Sequence, residues 1–126
     1  MARVHHEQCF GCGRTNLFGL LLEVEEVAPG AVAGRCFIKQ DHQGAEGGRA
    51  HDGIVAAALS EAMSLACGLE ARAVSFEVSL YGRAPVGAFV ELDARVESRD
   101  GPLANATATA TVDRRVLAQA MGRFRS

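Results

Sequence analysis

Residues 51 to 69 constrain this chain more than any other stretch. Ile54, Val55, Ala58, Leu59, Ala62, Met63, Leu65, Ala66 and Leu69 recur at steps of three and four, the spacing of one face of an α-helix. Around that stripe stand Ala56, Ala57, Ala58, Ala62, Ser64 and Ala66, whose side chains are too small to keep neighbours away. A helix so slim can be enclosed on nearly every side, which predicts a central helix wrapped by other elements. Asp52 marks its start, as a cap or first-turn residue near the positive end of the dipole, and Gly68 marks its end.

The flanking segments supply the wrapping. Leu20, Leu22 and Val24 alternate with Leu21, Glu23 and Glu25, predicting a strand over 19 to 27. Pro29 and Gly30 turn it, and 31 to 39 reads as the returning strand of a hairpin. From Gln40 to Ala50 the glycines at 44, 47 and 48 predict an irregular loop. Beyond the helix, Val74, Phe76, Val78 and Leu80 share one face of a half-buried strand over 73 to 81. Further strands are predicted over 89 to 96, 103 to 112 and 116 to 124, the third of the four built on alternating Ala and Thr. Two strands, a long helix and four more strands, with no repeat and no linker, predict one antiparallel α+β domain over residues 1 to 126.

Charge and hydropathy narrow the function. Thirteen Lys and Arg against fifteen Asp and Glu leave a net charge of −2, with no basic excess to neutralise phosphates, so nucleic acid is not an expected partner. The longest apolar run, from Ile54 to Leu59, falls far short of the roughly 20 residues that cross a bilayer. Residues 1 to 7 hold no apolar signal core, and the expectation is a soluble, cytoplasmic protein with no membrane partner. Cys9, Cys12, Cys36 and Cys67 are then expected as reduced thiols. His5-His6-x-x-Cys9-x-x-Cys12 carries metal-ligand types at tight spacing, but a closed zinc site wants a second ligand pair, and none follows in sequence. The expectation is therefore no metal and no cofactor.

Several short motifs in order carry a resemblance. Cys9-Phe10-Gly11-Cys12-Gly13, His42-Gln43-Gly44, His51-Asp52-Gly53, Ser60-Glu61-Ala62-Met63 and the segment Tyr81 to Gly87 resemble, over nearly the whole length, a group of hotdog-fold acyl-CoA thioesterases related to the phenylacetate-pathway enzymes. The resemblance implies an antiparallel sheet of five to six strands curled round one long helix, paired as a homodimer or a dimer of dimers. It implies hydrolysis of a small or medium acyl-CoA thioester at the subunit interface.

The physical chemistry of these residues fits such a site. Thioester hydrolysis places negative charge on the carbonyl oxygen, and the amides of Asp52 and Gly53 at a helix N-terminus would support it. A carboxylate two turns along the helix would attack or activate water, with Gln43 and His51 orienting the reactants.

Two positions depart from the family's pattern: Asp52 replaces a glycine, and Ser60 stands where the family carries its acid. Glu61, the neighbouring carboxylate, is rotated about 100° from that position on a helix of 3.6 residues per turn. The loop from Gly44 to His51 is one residue longer than the family's. The expected catalytic set is Glu61, Ser60, Asp52, Gly53, His51 and Gln43. The alternative is a catalytically silent acyl-CoA-binding module that has lost the acid.

Overall fold

The structure, a computed structural model, describes residues 2–126. Six strands and one long helix appear in the order β1 (Glu23–Ala28), β2 (Ala31–Phe37), α1 (Asp52–Cys67), β3 (Arg72–Leu80), β4 (Phe89–Asp100), β5 (Leu103–Val112) and β6 (Arg115–Arg125). They form one antiparallel sheet in the order β1-β2-β4-β5-β6-β3, so the helix crossover sends β3 to the edge opposite β1.

The Ala-Thr alternation of β5 explains how the sheet accepts the helix. Ala104, Ala106, Ala108 and Ala110 are all buried on one face. A row of methyl groups at the centre of the sheet leaves room for α1 to lie close against it. Leu59, Ala62, Met63 and Leu65 fill the layer between helix and sheet with no solvent exposure. Burying a side chain of that size stabilises by about 1.5 to 3 kcal/mol, so this layer is the main source of cohesion.

The helix is enclosed on all sides only in its second half. Ala62 to Cys67 are buried at every position, whereas Ile54, Ala56, Ala57, Ser60 and Glu61 are half-buried and Gly53 is exposed. Val74, Phe76 and Leu80 on β3 are likewise 56%, 43% and 41% exposed, more open than the half-buried strand expected from their alternation. β3 is an edge strand, and both of its faces stand open along most of its length.

Two boundaries move from their sequence expectation. β1 begins at Glu23, not near Gly19, because the Leu20 and Leu22 amides donate to the Phe10 and Gly11 carbonyls. Those residues are buried against the cysteine-bearing turn, and the backbone bonds that a strand would use are taken there. β4 continues to Asp100 through an irregularity between Val96 and Ser98.

Candidate functional site

His51, not Asp52, caps α1. Its backbone is extended (φ −61°, ψ 141°) and its Nδ1 accepts the Gly53 amide at 2.8 Å, so of the two amides expected to support an oxyanion, that of Gly53 is already taken by the cap. Asp52 is the first helical residue, and its carboxylate is drawn instead to Arg83, with Oδ1 3.0 Å from Nε and Oδ2 3.2 Å from Nη2. The arginine in the loop after β3 outcompetes the helix's own amides for that side chain. The Asp52 N–H has no hydrogen-bond partner among the described residues, as a first-turn amide of a helix requires of some outside acceptor. Asp52 lines a cleft of about 240 Å³ together with Gly44, Glu46, His51 and Arg83.

The preceding loop is braced from within. The His42 carbonyl accepts the His51 amide at 2.8 Å, and the Ala50 amide donates to the Ala84 carbonyl at 2.8 Å. His42 is 2% exposed, and its Nδ1 accepts the Lys39 amide at 3.0 Å. Burial lowers its pKa, because a charged imidazole there would lose its water. Gln43 is exposed and engaged with its own loop: Oε1 accepts the Gly48 amide at 2.6 Å and Nε2 donates to the Gln40 carbonyl at 2.9 Å.

Ser60 and Glu61 sit farther along α1, beside a different cleft. Seven residues separate Gly53 from Ser60, or about 10 Å of helix, and nearly two full turns put both on one face. Ser60 borders a cleft of about 290 Å³ with His6, Cys9, Arg72, Ala73 and Phe124. Glu61 lines the same cleft, and its carboxylate reaches the N-terminal segment. Its Oε2 lies 2.9 Å from His5 Nδ1 and accepts from Cys9 Sγ at 3.3 Å.

The N-terminal segment thus returns across 52 to 56 residues of sequence to meet the helix. Cys12 Sγ accepts the His5 amide at 3.1 Å and lies 3.4 Å from His5 Nδ1. The hydrogen bond to Glu61 raises the His5 pKa against the opposing pull of burial. Burial pushes the Glu61 carboxyl up, but its bonds to His5, Cys12 and Cys9 prevail and hold it below the usual range. Burial likewise pushes the Cys12 thiol up.

In one chain, then, the six expected site residues fall into two groups. His51, Asp52 and Gly53 meet at the helix start with Gln43 in the adjoining loop, while Ser60 and Glu61 lie two turns away. Sequence reasoning missed Arg83 as the partner of Asp52 and missed His5, Cys9 and Cys12 as the partners of Glu61. The ligand-type spacing of His5, Cys9 and Cys12 was a visible signal, but their partner on α1 was not.

No family model and no curated protein matches the sequence. Solved structures match it in three dimensions. A thioesterase superfamily protein superposes with a TM-score of 0.85 at 18% identity, covering 95% of this chain and 61% of that one. Thioesterase superfamily member 2 of zebra fish gives 0.74 at 22% identity, with 82% and 80% covered. A point mutant of the phenylacetic acid degradation protein PaaI of Thermus thermophilus gives 0.76 at 24% identity, with 82% and 91% covered. The fold is the hotdog fold. Sheet order, the single long helix and the exposed edge at β3 are the elements this hotdog chain brings to any site. No helix among the described residues is long and apolar enough to cross a membrane.

Proposed function

We propose that this hotdog protein binds an acyl-CoA or related pantetheine thioester in a groove between two copies and hydrolyses it. The observation that carries the reading is the amino end of α1, where the Asp52 N–H has no partner among the described residues and Asp52 lines a cleft beside exposed Gly53. A thioester carbonyl placed there meets a backbone donor and the positive end of the helix dipole where negative charge develops. Gly53 carries no side chain to block its approach, and His51 lines the cleft beside it. The thioesterases among the chain's fold neighbours support the same chemistry.

A second copy is part of this reading. Reacting atoms must come within about 3 to 3.5 Å, and the helix start and Ser60 of one chain are about 10 Å apart. The helix start of one copy and the Ser60 hydroxyl of another, holding the attacking water, would satisfy the distance. Edge strand β3, with Val74, Phe76 and Leu80 exposed, offers the unpaired backbone and apolar surface for such a contact.

One observation favours a second reading, binding without turnover. Glu61, the carboxylate nearest the position of the family's acid, is held by His5 and Cys9. The test is release of CoA from a panel of short and medium acyl-CoA substrates, followed by chromatography because the protein's own four thiols would react with a colorimetric reagent. Hydrolysis predicts steady release that falls about 10²-fold in Ser60→Ala. No release, with CoA raising the melting temperature, selects the binding module. Neither release nor stabilisation overturns both.

A further inference from the structure

From the side chains gathered where the N-terminal segment meets α1, we infer a tetrahedral zinc site made by His5 Nδ1, Cys9 Sγ, Cys12 Sγ and a Glu61 carboxylate oxygen. These four ligand atoms all lie within 4.8 Å of one another. Zinc bonds of about 2.3 Å to sulfur and about 2.0 Å to nitrogen and oxygen give tetrahedral edges of roughly 3.3 to 3.8 Å. The separations fit: 3.7 Å from Cys9 to His5, 3.4 Å from Cys12 to His5 and 3.3 Å from Cys9 to Glu61. The His5 to Glu61 separation, 2.9 Å, is the hydrogen-bonded distance that an intervening ion would widen.

A simple ion pair accounts for His5 and Glu61 but not for two sulfurs brought to the same point. The surrounding backbone is shaped for that convergence. A Cβ on Gly11 would lie 2.4 Å from Glu61 Cγ and Cδ, and one on Gly13 would lie 2.4 Å from the Glu7 carbonyl oxygen and 2.5 Å from the Cys9 nitrogen. Gly11 therefore lets the turn close over the Glu61 side chain, and Gly13 lets the turn close on its own backbone. The His5 amide already donates to Cys12 Sγ, and the Gly13 amide to the Cys9 carbonyl.

The orientation of the imidazole agrees. Ser64 Oγ donates to the Ala71 carbonyl at 3.0 Å, so at 3.4 Å from His5 Nε2 it is left to accept from that nitrogen. Nε2–H is then braced by Ser64, and the Nδ1 edge that donates to the Glu61 carboxylate faces the cluster, where an ion taking the place of that proton would meet the Nδ1 lone pair. Two sulfurs, one imidazole and one carboxylate match the borderline-soft preference of zinc. Four protein ligands leave no open position, so the ion clamps the N-terminal segment to α1 and does not act on substrate. Binding releases the two thiol protons and the His5 Nδ1 proton to solvent, with no change of oxidation state.

The site is independent of the acyl-thioester reading, and its failure would leave the CoA assays untouched. The test uses the full-length chain, kept reduced, stripped of metal and titrated with zinc chloride against a chromophoric chelator. One zinc per chain is expected, with a raised melting temperature. Cobalt in its place should give thiolate-to-metal charge transfer and the strong visible bands of a tetrahedral ion. Cys9→Ser and Cys12→Ser should each abolish stoichiometric binding. Ser64→Ala, which keeps all four ligands and removes the brace on His5, should weaken binding about 10- to 100-fold. Wild-type protein that takes up well under one equivalent, cobalt spectra without thiolate charge transfer, or cysteine variants that bind like wild type would overturn the proposal. Should the cysteine variants fail to fold, the wild-type cobalt spectrum decides.

Discussion

The amino end of α1 and the turn that bears Glu61 lie on one helix, about 13 Å apart, yet they present opposite kinds of polar group. At the amino end the available donor is backbone, and the nearest side chains are already engaged: His51 with the Gly53 amide, Asp52 with Arg83. At Glu61 the groups are side chains of three chemistries, and they converge at 11% and 15% side-chain exposure for His5 and Glu61. Openness with an unclaimed N–H suits a small molecule that comes and goes. Mostly buried, converging ligands suit an ion that stays.

The comparison breaks most easily at the Asp52 amide. Proline is well tolerated as a first helical residue, and the extended backbone of His51 is compatible with a following proline. Asp52→Pro therefore deletes one N–H while keeping the helix. Removing an oxyanion donor costs about 10²- to 10³-fold in rate, and that loss in kcat/KM for acyl-CoA is expected. Asp52→Ala keeps the amide and loses only an exposed pair with Arg83 worth no more than about 1 kcal/mol, so it should fall far less. Equal losses in the two variants would shift the role from the backbone to the carboxylate.

A smaller effect is expected from His51→Ala. Loss of an N-cap costs about 1 kcal/mol, which lowers the melting temperature by roughly 3 to 6 °C in a chain of this size. An unchanged melting temperature would mean that the cap contributes nothing to the start of α1. The smallest effect concerns His42, whose folded-state pKa lies below its ordinary 6.5. As pH falls below that value the unfolded chain takes up the proton first, so the contribution of His42 to stability is complete above it and declines on acidification. Melting temperatures across this range, wild type minus His42→Asn, should show the decline. The difference isolates His42 from His5, whose pairing with Glu61 acts in the opposite direction. A flat difference would contradict the burial argument.

What could be read in the sequence divides along the range of the interactions. The helix, its slimness and all six strands follow from local periodicity, because alternation and steps of three and four report which side of an element is buried. The start of β1 was missed because the backbone of Leu20 and Leu22 bonds to a turn ten residues earlier, and no residue pattern announces that. The cap moved from Asp52 to His51 because Arg83, 31 residues away, attracts the carboxylate. At the candidate site, His5, Cys9, Cys12, Ser60 and Glu61 were all visible as chemistry. Their assembly was not, since the fourth member of the cluster, Glu61, arrives from α1 and not from a second cysteine pair. Val74, Phe76 and Leu80 read as a buried face because their alternation is that of a strand covered on one side, and one chain alone leaves them open.

The central claim is that an acyl thioester seats its carbonyl at the start of α1, and backbone NMR tests it most directly. A carba analogue of acyl-CoA, with a methylene in place of the thioester sulfur, keeps the carbonyl and cannot be hydrolysed. Titrated into uniformly nitrogen-15-labelled protein, it should shift the Asp52 amide most strongly downfield, with Gly53 next, along one saturable curve. Saturable binding that leaves both amides unmoved while residues elsewhere shift would contradict the account.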